Sequence, residues 1–221
     1  MNPILKRTLT GLAVGAAVIA AILLAPRCAF LPAVSLLIAL AAAEYTALLS
    51  KKEPRLGVSA LALAWLVGVA VIACGLWALA EIAMRHGNVM LLYVVAIVKF
   101  SDVGGFAFGL ASAKLMDGGN HKLCPTVSPG KSWEGLFGSV VLSCAVSFAF
   151  MPATHFAFGK ALAFGLVAAA LGTAGDLVES KFKRWVGVKD SSTLKITNGM
   201  GGVLDMLDSL VIAPAVLLLM T

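Results

Sequence analysis

Charge is what this chain has least of. Only 13% of its 221 residues are Asp, Glu, Lys or Arg, where a soluble domain carries about a quarter. That is too few to cover a solvent-facing surface, which excludes an ordinary soluble fold. The alternating polar and apolar segments of a membrane barrel are also missing, because the apolar runs are continuous. Cysteine is limited to Cys28, Cys74, Cys124 and Cys144, with no C-x-x-C pair and no metal-ligand spacing. Three of the four lie in or beside apolar runs, where Cys behaves as a small hydrophobe, so neither disulfides nor zinc are expected. Histidine is limited to His86, His121 and His155. No Ser/His/Asp or Cys/His set emerges, and no covalent intermediate is expected. There is no internal repeat and no separate soluble domain.

What the chain has is apolar length. Hydrophobic residues make up 60% of it and the mean hydropathy is +0.98. Runs at 8–25, 31–50, 58–80, 90–110, 135–151, 156–175 and 203–220 are each about long enough to span a bilayer as a helix. The first is read as a helix rather than a cleaved leader, since Pro26-Arg27-Cys28 is a poor cleavage or lipobox context. The expected fold is therefore all-α, a polytopic transmembrane bundle of about seven spans with two polar loops, 114–134 and 179–202. Short turns are expected at 81–87 and at Pro152.

The net charge of +6 does not point to nucleic acid, because the basic residues are confined to a few loops. With the N-terminus in the cytoplasm, thirteen Lys and Arg fall on the cytoplasmic side. Three (Arg27, Arg85 and Lys160) fall outside, and Lys99 lies within a span. This asymmetry follows the positive-inside rule and puts both polar loops in the cytoplasm.

The stretch 175–210 concentrates the chemistry. Asp205 and Asp208 are three residues apart on an apolar helix, and Asp176 and Glu179 repeat that spacing at the end of the preceding run. A carboxylate at membrane depth costs several kcal/mol unless paired, hydrated or metal-bound. Clustered carboxylates at a membrane surface suit Mg²⁺, which takes few carboxylates plus substrate phosphates. The alternative for all four is a helix-end charge exposed to water, more so for Glu179 and Asp208 than for Asp176 and Asp205. Lys181, Lys183, Arg184, Lys189 and Lys195 lie between the two pairs. They can clamp a polyphosphate or simply contact lipid headgroups. Gly199, Gly201 and Gly202 precede the last helix, where backbone N–H groups can approach a phosphate.

In the other loop, Gly130-Lys131-Ser132 has the look of the end of a Walker A loop. It is not one: the first glycine would fall at Pro125, and no strand is expected before it. Ser, Gly and Lys before a helix can nevertheless bind an anion. Asp102 stands three residues after Lys99, a spacing that a simple ion pair also explains. His121 can contact a phosphate or be solvated.

Taken together, these motifs resemble the phosphatidate cytidylyltransferase (CDP-diacylglycerol synthase) family. The resemblance rests on Ser101-Asp102-Val103-Gly104-Gly105 and on His121-Lys122-Leu123 followed by Val127-Ser128-Pro129-Gly130-Lys131-Ser132-Trp133-Glu134-Gly135. Gly175-Asp176-Leu177, Glu179-Ser180-Lys181-Phe182-Lys183-Arg184 and Lys189-Asp190-Ser191 continue it, and Gly201-Gly202-Val203-Leu204-Asp205 with Asp208 and Ser209 closes it. It runs from about Lys99 to the C-terminus. Residues 1–89 resemble the family only as apolar spans, and 90–221 carry the motifs. Met200 stands where the signature has His, and Met206 where it has Arg.

The resemblance implies Mg²⁺-dependent transfer of CMP from CTP to phosphatidate with release of pyrophosphate. It assigns catalysis to Asp176, Lys183, Arg184, Lys189, Asp190 and Asp205, with Mg²⁺, alone or with a second cation, on Asp176 and Asp205. Substrate contacts fall to Asp102, Ser128, Lys131, Ser132, Glu134, Ser180, Ser191, Gly201, Gly202 and Asp208. The implied partners are CTP, phosphatidate and membrane lipids but no nucleic acid, with the chain acting alone or as a homodimer. The implied place is a bacterial inner membrane with the active site facing the cytoplasm. Two other readings stay open: a nucleotide-dependent transferase or kinase acting on another lipid phosphate, and a transporter, since intramembrane Asp and Lys also mark transport paths.

Overall fold

The computed structural model describes residues 3–51, 57–117, 119–188 and 202–221, with side chains from residue 14 onward. It is all-helical apart from one short hairpin. The helices are α1 (Pro3–Leu24), α2 (Phe30–Leu49, entered through a 3-10 turn at Arg27–Ala29), α3 (Val58–His86), α4 (Asn88–Leu115), α5 (Trp133–Ala149), the four-residue α6 (Met151–Thr154), α7 (Phe158–Val186) and α8 (Val203–Met220). Strands β1 (Lys122–Cys124) and β2 (Ser128–Ser132) pair antiparallel between α4 and α5.

Among the described residues, five segments are long and apolar enough to cross a bilayer: Arg27–Leu49, α3, α4, α7 and α8; α5 and the described part of α1 are apolar but shorter. The surface is apolar too. Leu24, Leu63, Phe106, Phe137 and Leu219 are all exposed, which suits contact with lipid rather than water.

The hydrophobic effect does not drive helices together inside lipid, so close packing and polar contacts must do it. On α5, Ser139, Ser143 and Ser147 recur every four residues on the buried face. Their hydroxyls donate to the carbonyls of Ser101 (2.9 Å), Gly165 (2.8 Å) and Ala161 (2.6 Å), each worth about 0.6 kcal/mol in a bilayer. At Gly138, a Cβ would sit 2.5 Å from the Gly104 carbonyl oxygen, so α4 and α5 meet backbone to backbone. The paired glycines 104 and 105 therefore pack rather than break α4.

Several helices run beyond their expected limits. The turn expected at 81–87 is the last part of α3, where Glu81 and Arg85 form an ion pair one turn apart; Gly87, at φ 88°, ends the helix. The loop expected to begin at 179 instead begins after α7, which carries Glu179, Lys181, Lys183 and Arg184 as helical residues. The Glu179–Lys183 pair (2.8 Å) supports that extra length. Gly187, at φ 88°, closes the helix by donating its N–H to the Lys183 and Arg184 carbonyls. The hairpin is the other correction. A strand does precede Pro125, and Ser128–Ser132 is itself the second strand.

Candidate active site

One end of the bundle gathers the charge. It holds the C-terminal ends of α2, α4 and α7, the start of α5 with its hairpin, and the start of α8. At the opposite end the Asn88 amide donates to the Ala25 carbonyl (3.0 Å), and the Thr221 hydroxyl meets His86 Nε2 at 3.1 Å.

The hairpin is anchored where it meets α5. The Ser132 hydroxyl accepts from the Gly135 N–H (3.0 Å), an N-cap worth about 1 kcal/mol. Glu134 Oε1 lies 2.6 Å from His121 Nδ1 and also accepts the His121 N–H. Glu134 precedes the apolar run that begins at Gly135. Its hydrogen bond with His121, with backbone help, holds its carboxyl at about 2, well below the usual carboxylate range. These contacts aim β2 at α7, where Lys131 Nζ reaches Asp176 Oδ2 at 2.5 Å. Beside the pair lies a cavity of about 320 Å³ whose lining includes Asp102, Ser128, Lys131, Ser132, Thr173 and Asp176.

Gly175 lets α8 come alongside. A Cβ there would sit 2.6 Å from the Asp208 carbonyl oxygen, so the α7 and α8 backbones touch next to Asp176 and Asp208. The charges of Asp176, Asp102 and Asp208 are close enough to act on one another. Ser209 and Lys99 knit this cluster together. The Ser209 hydroxyl donates to Asp102 Oδ2 (2.8 Å), and its N–H donates to Asp208 Oδ1 (2.6 Å). Lys99 Nζ donates to Ser209 Oγ (2.8 Å) and the Met206 carbonyl (3.0 Å), and lies 3.4 Å from Asp102 Oδ2.

One to two turns further along α7, Lys183 Nζ bridges Glu179 Oε2 (2.8 Å) and Asp205 Oδ1 (2.6 Å). Asp205 Oδ2 accepts the Gly202 N–H (2.8 Å).

The expected site residues thus fall into two adjoining groups. Asp102, Ser128, Lys131, Ser132, Asp176 and Asp208 gather around the cavity. Lys183 and Asp205 sit together, with Gly202 at the start of α8. Glu134 holds the hairpin through His121. Arg184 is exposed and reaches the Val188 carbonyl at 3.5 Å, at the end of α7. Ser180 is half-buried on α7. Lys189, Asp190, Ser191 and Gly201 lie outside the described residues, as does Met200.

Two residues outside the expected site set tie the helices together here. Lys99, read as a partner for Asp102, joins α4 to α8 at two further points. Glu44, 1% exposed on α2, accepts the Leu204 N–H at 2.8 Å. The signal for both was an ionisable residue inside an apolar run.

For a cation, the described residues offer oxygen donors around Asp176. Its Oδ1 is buried without a hydrogen-bond partner, and Asp102 and Asp208 are its electrostatic neighbours. Among the described residues no three Asp, Glu, His or Cys side chains stand grouped to hold a metal ion by themselves, so an ion such as Mg²⁺, which takes few carboxylates, would need substrate phosphates to complete its shell.

The profile of the Cytidylyltransferase family matches residues 62–221, starting within α3 and covering every motif above. The chain is 40% identical over 137 residues to a phosphatidate cytidylyltransferase of Haemophilus influenzae, covering 58% of this chain and 44% of that protein. It is 41% identical over 121 residues to one from Staphylococcus aureus, covering 54% and 44%. For one from Staphylococcus saprophyticus the identity is 37% over 146 residues, covering 65% and 53%. The chain spans about half the length of these curated relatives. The motif resemblance is borne out, and the chain belongs to the cytidylyltransferase family.

Proposed function

We propose that this protein transfers CMP from CTP to phosphatidate, forming CDP-diacylglycerol and pyrophosphate at the cytoplasmic face of a bacterial inner membrane. The observation that carries this reading is the Lys131–Asp176 pair beside a cavity edged by Ser128 and Ser132. The relatives' names support the substrate pair, and the Lys and Arg asymmetry supports the cytoplasmic orientation.

The chemistry asks little of a general base. A phosphatidate oxygen is already ionised and attacks the α-phosphorus of CTP. The bond to the bridging oxygen breaks, and pyrophosphate leaves with the electron pair. Catalysis is then positioning and charge neutralisation. Lys131 would take a phosphate oxygen at the cavity, with the Ser128 and Ser132 side chains as its polar edges. Lys183 is the second cation, held by Glu179 and Asp205. In the state described, both lysines are paired with carboxylates. A phosphate arriving together with a cation would exchange those partners without leaving a buried charge uncompensated, the costly alternative. Asp176 would hold Mg²⁺, with Asp102 and Asp208 adjacent and Asp205 one turn along α8. An ion held there would supply positive charge to offset that of the nucleotide phosphates. The exposed apolar face at Phe106, beside the cavity, suits entry of acyl chains from the membrane plane.

The test separates nucleotidyl transfer from phosphorylation. Purified protein is given phosphatidate and CTP labelled at either the α- or the γ-phosphorus. The proposal expects α-label, and no γ-label, in the lipid phase. γ-Label in lipid would mark a kinase and overturn it.

A further inference from the structure

The ion pair between Lys183 and Asp205 is gripped from outside by two consecutive residues of α2. Glu44 Oε2 accepts the N–H of Leu204, the residue before Asp205, at 2.8 Å. The Tyr45 ring stacks on Phe182, the residue before Lys183, with centroids 4.7 Å apart. The Tyr45 hydroxyl in turn donates to the Ala64 carbonyl on α3 (2.8 Å), which fixes the ring. One dipeptide therefore touches both partners' helices one residue upstream of the charges, and Lys183 Nζ and Asp205 Oδ1 meet at 2.6 Å. Glu44 and Tyr45 both lie before residue 62, where the family match begins.

Local sequence explains why α8 needs this help. Its N-cap is Gly202, which has no side chain to accept an orphan N–H of the first turn. Asp205 turns back to the Gly202 N–H. Glu44 takes the Leu204 N–H from 160 residues away, the place an Asp or Ser cap would fill. As a stabiliser it is a poor choice. Glu44 is 1% exposed and its Oε1 is buried without a hydrogen-bond partner, a costly state for a carboxylate. Geometry is what it provides.

We infer that Glu44, with Tyr45 beside it, is a positioning residue that sets the first turn of α8 against α7 and so holds Asp205 in register with Lys183. Glu44 works through its hydrogen-bond acceptor and its reach. Only the kinetic arm of its test rests on the proposed CMP transfer.

The test uses the full chain in lipid nanodiscs and three substitutions. Glu44→Gln keeps an acceptor oxygen at the same reach, Glu44→Asp keeps the carboxyl group but is one methylene short, and Glu44→Ala removes both. Amide hydrogen exchange reads the first turn of α8, and CMP transfer reads the site. In Glu44→Ala and Glu44→Asp, the Leu204 amide is expected to exchange about tenfold faster, the scale of a lost cap. The same two variants are expected to lose about tenfold in kcat, with KM for CTP within about twofold of the parent. Glu44→Gln is expected to match the parent in both readouts. If Glu44→Ala does not fold, Glu44→Asp against Glu44→Gln decides. Parental exchange in Glu44→Asp, or fast exchange in Glu44→Gln, overturns the inference. A parent that turns over no CTP counts against the proposed function, and the exchange arm still decides the role of Glu44.

Discussion

Lys131 Nζ and Asp176 Oδ2 stand 2.5 Å apart, joining the hairpin before α5 to the middle of α7 across 45 residues of sequence. Their side chains are 24% and 21% exposed, so removing one partner strands the other in a poorly hydrated place. Asp176→Asn is expected to abolish turnover while the protein stays folded, because a neutral amide is a poor Mg²⁺ ligand. Lys131→Gln is expected to lower kcat/KM by about 100-fold or more, the scale of a lost charge-stabilising contact. The double variant should be little worse than Asp176→Asn. Steady-state kinetics with circular dichroism on the same preparations check this.

Gly175 sets the spacing between α7 and α8. An alanine methyl would arrive 2.6 Å from the Asp208 carbonyl oxygen, a backbone atom that cannot turn aside. Gly175→Ala should cost about 1–3 kcal/mol of stability by overpacking and reduce turnover by moving Asp176 from Asp208. Gly159→Ala, on the same helix but with open space around its Cβ position, should do neither. Thermal unfolding in detergent, paired with activity, reads both effects.

The orientation can be read with the native cysteines. Cys28 is exposed in the turn before α2, at the end opposite the hairpin, and Cys124 lies half-buried in β1. In intact cells with a permeabilised outer membrane, an impermeant thiol reagent should label Cys28 and spare Cys124 until the inner membrane is opened. Labelling of Cys124 from outside would reverse the topology and remove the access of CTP to the cavity.

Met206 occupies the place where the family signature has Arg. Its side chain is 40% exposed, and its carbonyl is held by Lys99. With Lys99, Lys131 and Lys183 already at the carboxylates, Met206→Arg should change the Michaelis constants by only a few-fold and create no new activity. Measured KM values for CTP and phosphatidate decide it.

The apolar spans were legible because length and hydropathy alone report a bilayer crossing, and 203–220 coincides with α8. Helix ends were less so. A hydropathy reading stops α7 at Gly175, but the polar residues that follow stay helical through the Glu179–Lys183 pair and stop only at Gly187. The hairpin left no trace because β1 and β2 have three and five residues, β2 contains Pro129 and Gly130, and neither alternates apolar and polar positions. The carboxylates of 175–210 were legible as a cluster, but not the partner each would take. Asp176 pairs with Lys131 of the other loop, and Asp205 with Lys183. Those choices depend on Gly175 and on how the hairpin aims Lys131, which are tertiary facts. Glu44 was visible only as an acidic residue near the end of an apolar run.

The central claim is that the carboxylate–lysine cavity performs CMP transfer. Its most direct test is to measure pyrophosphate release and CDP-diacylglycerol formation together, using purified protein in phosphatidate-containing nanodiscs with CTP and Mg²⁺. The two products are expected in equal amounts, both lost on chelation of Mg²⁺ and both lost in Asp176→Asn. Folded parent protein that forms neither product, or an Asp176→Asn variant that keeps the parental rate across a Mg²⁺ titration, would contradict it.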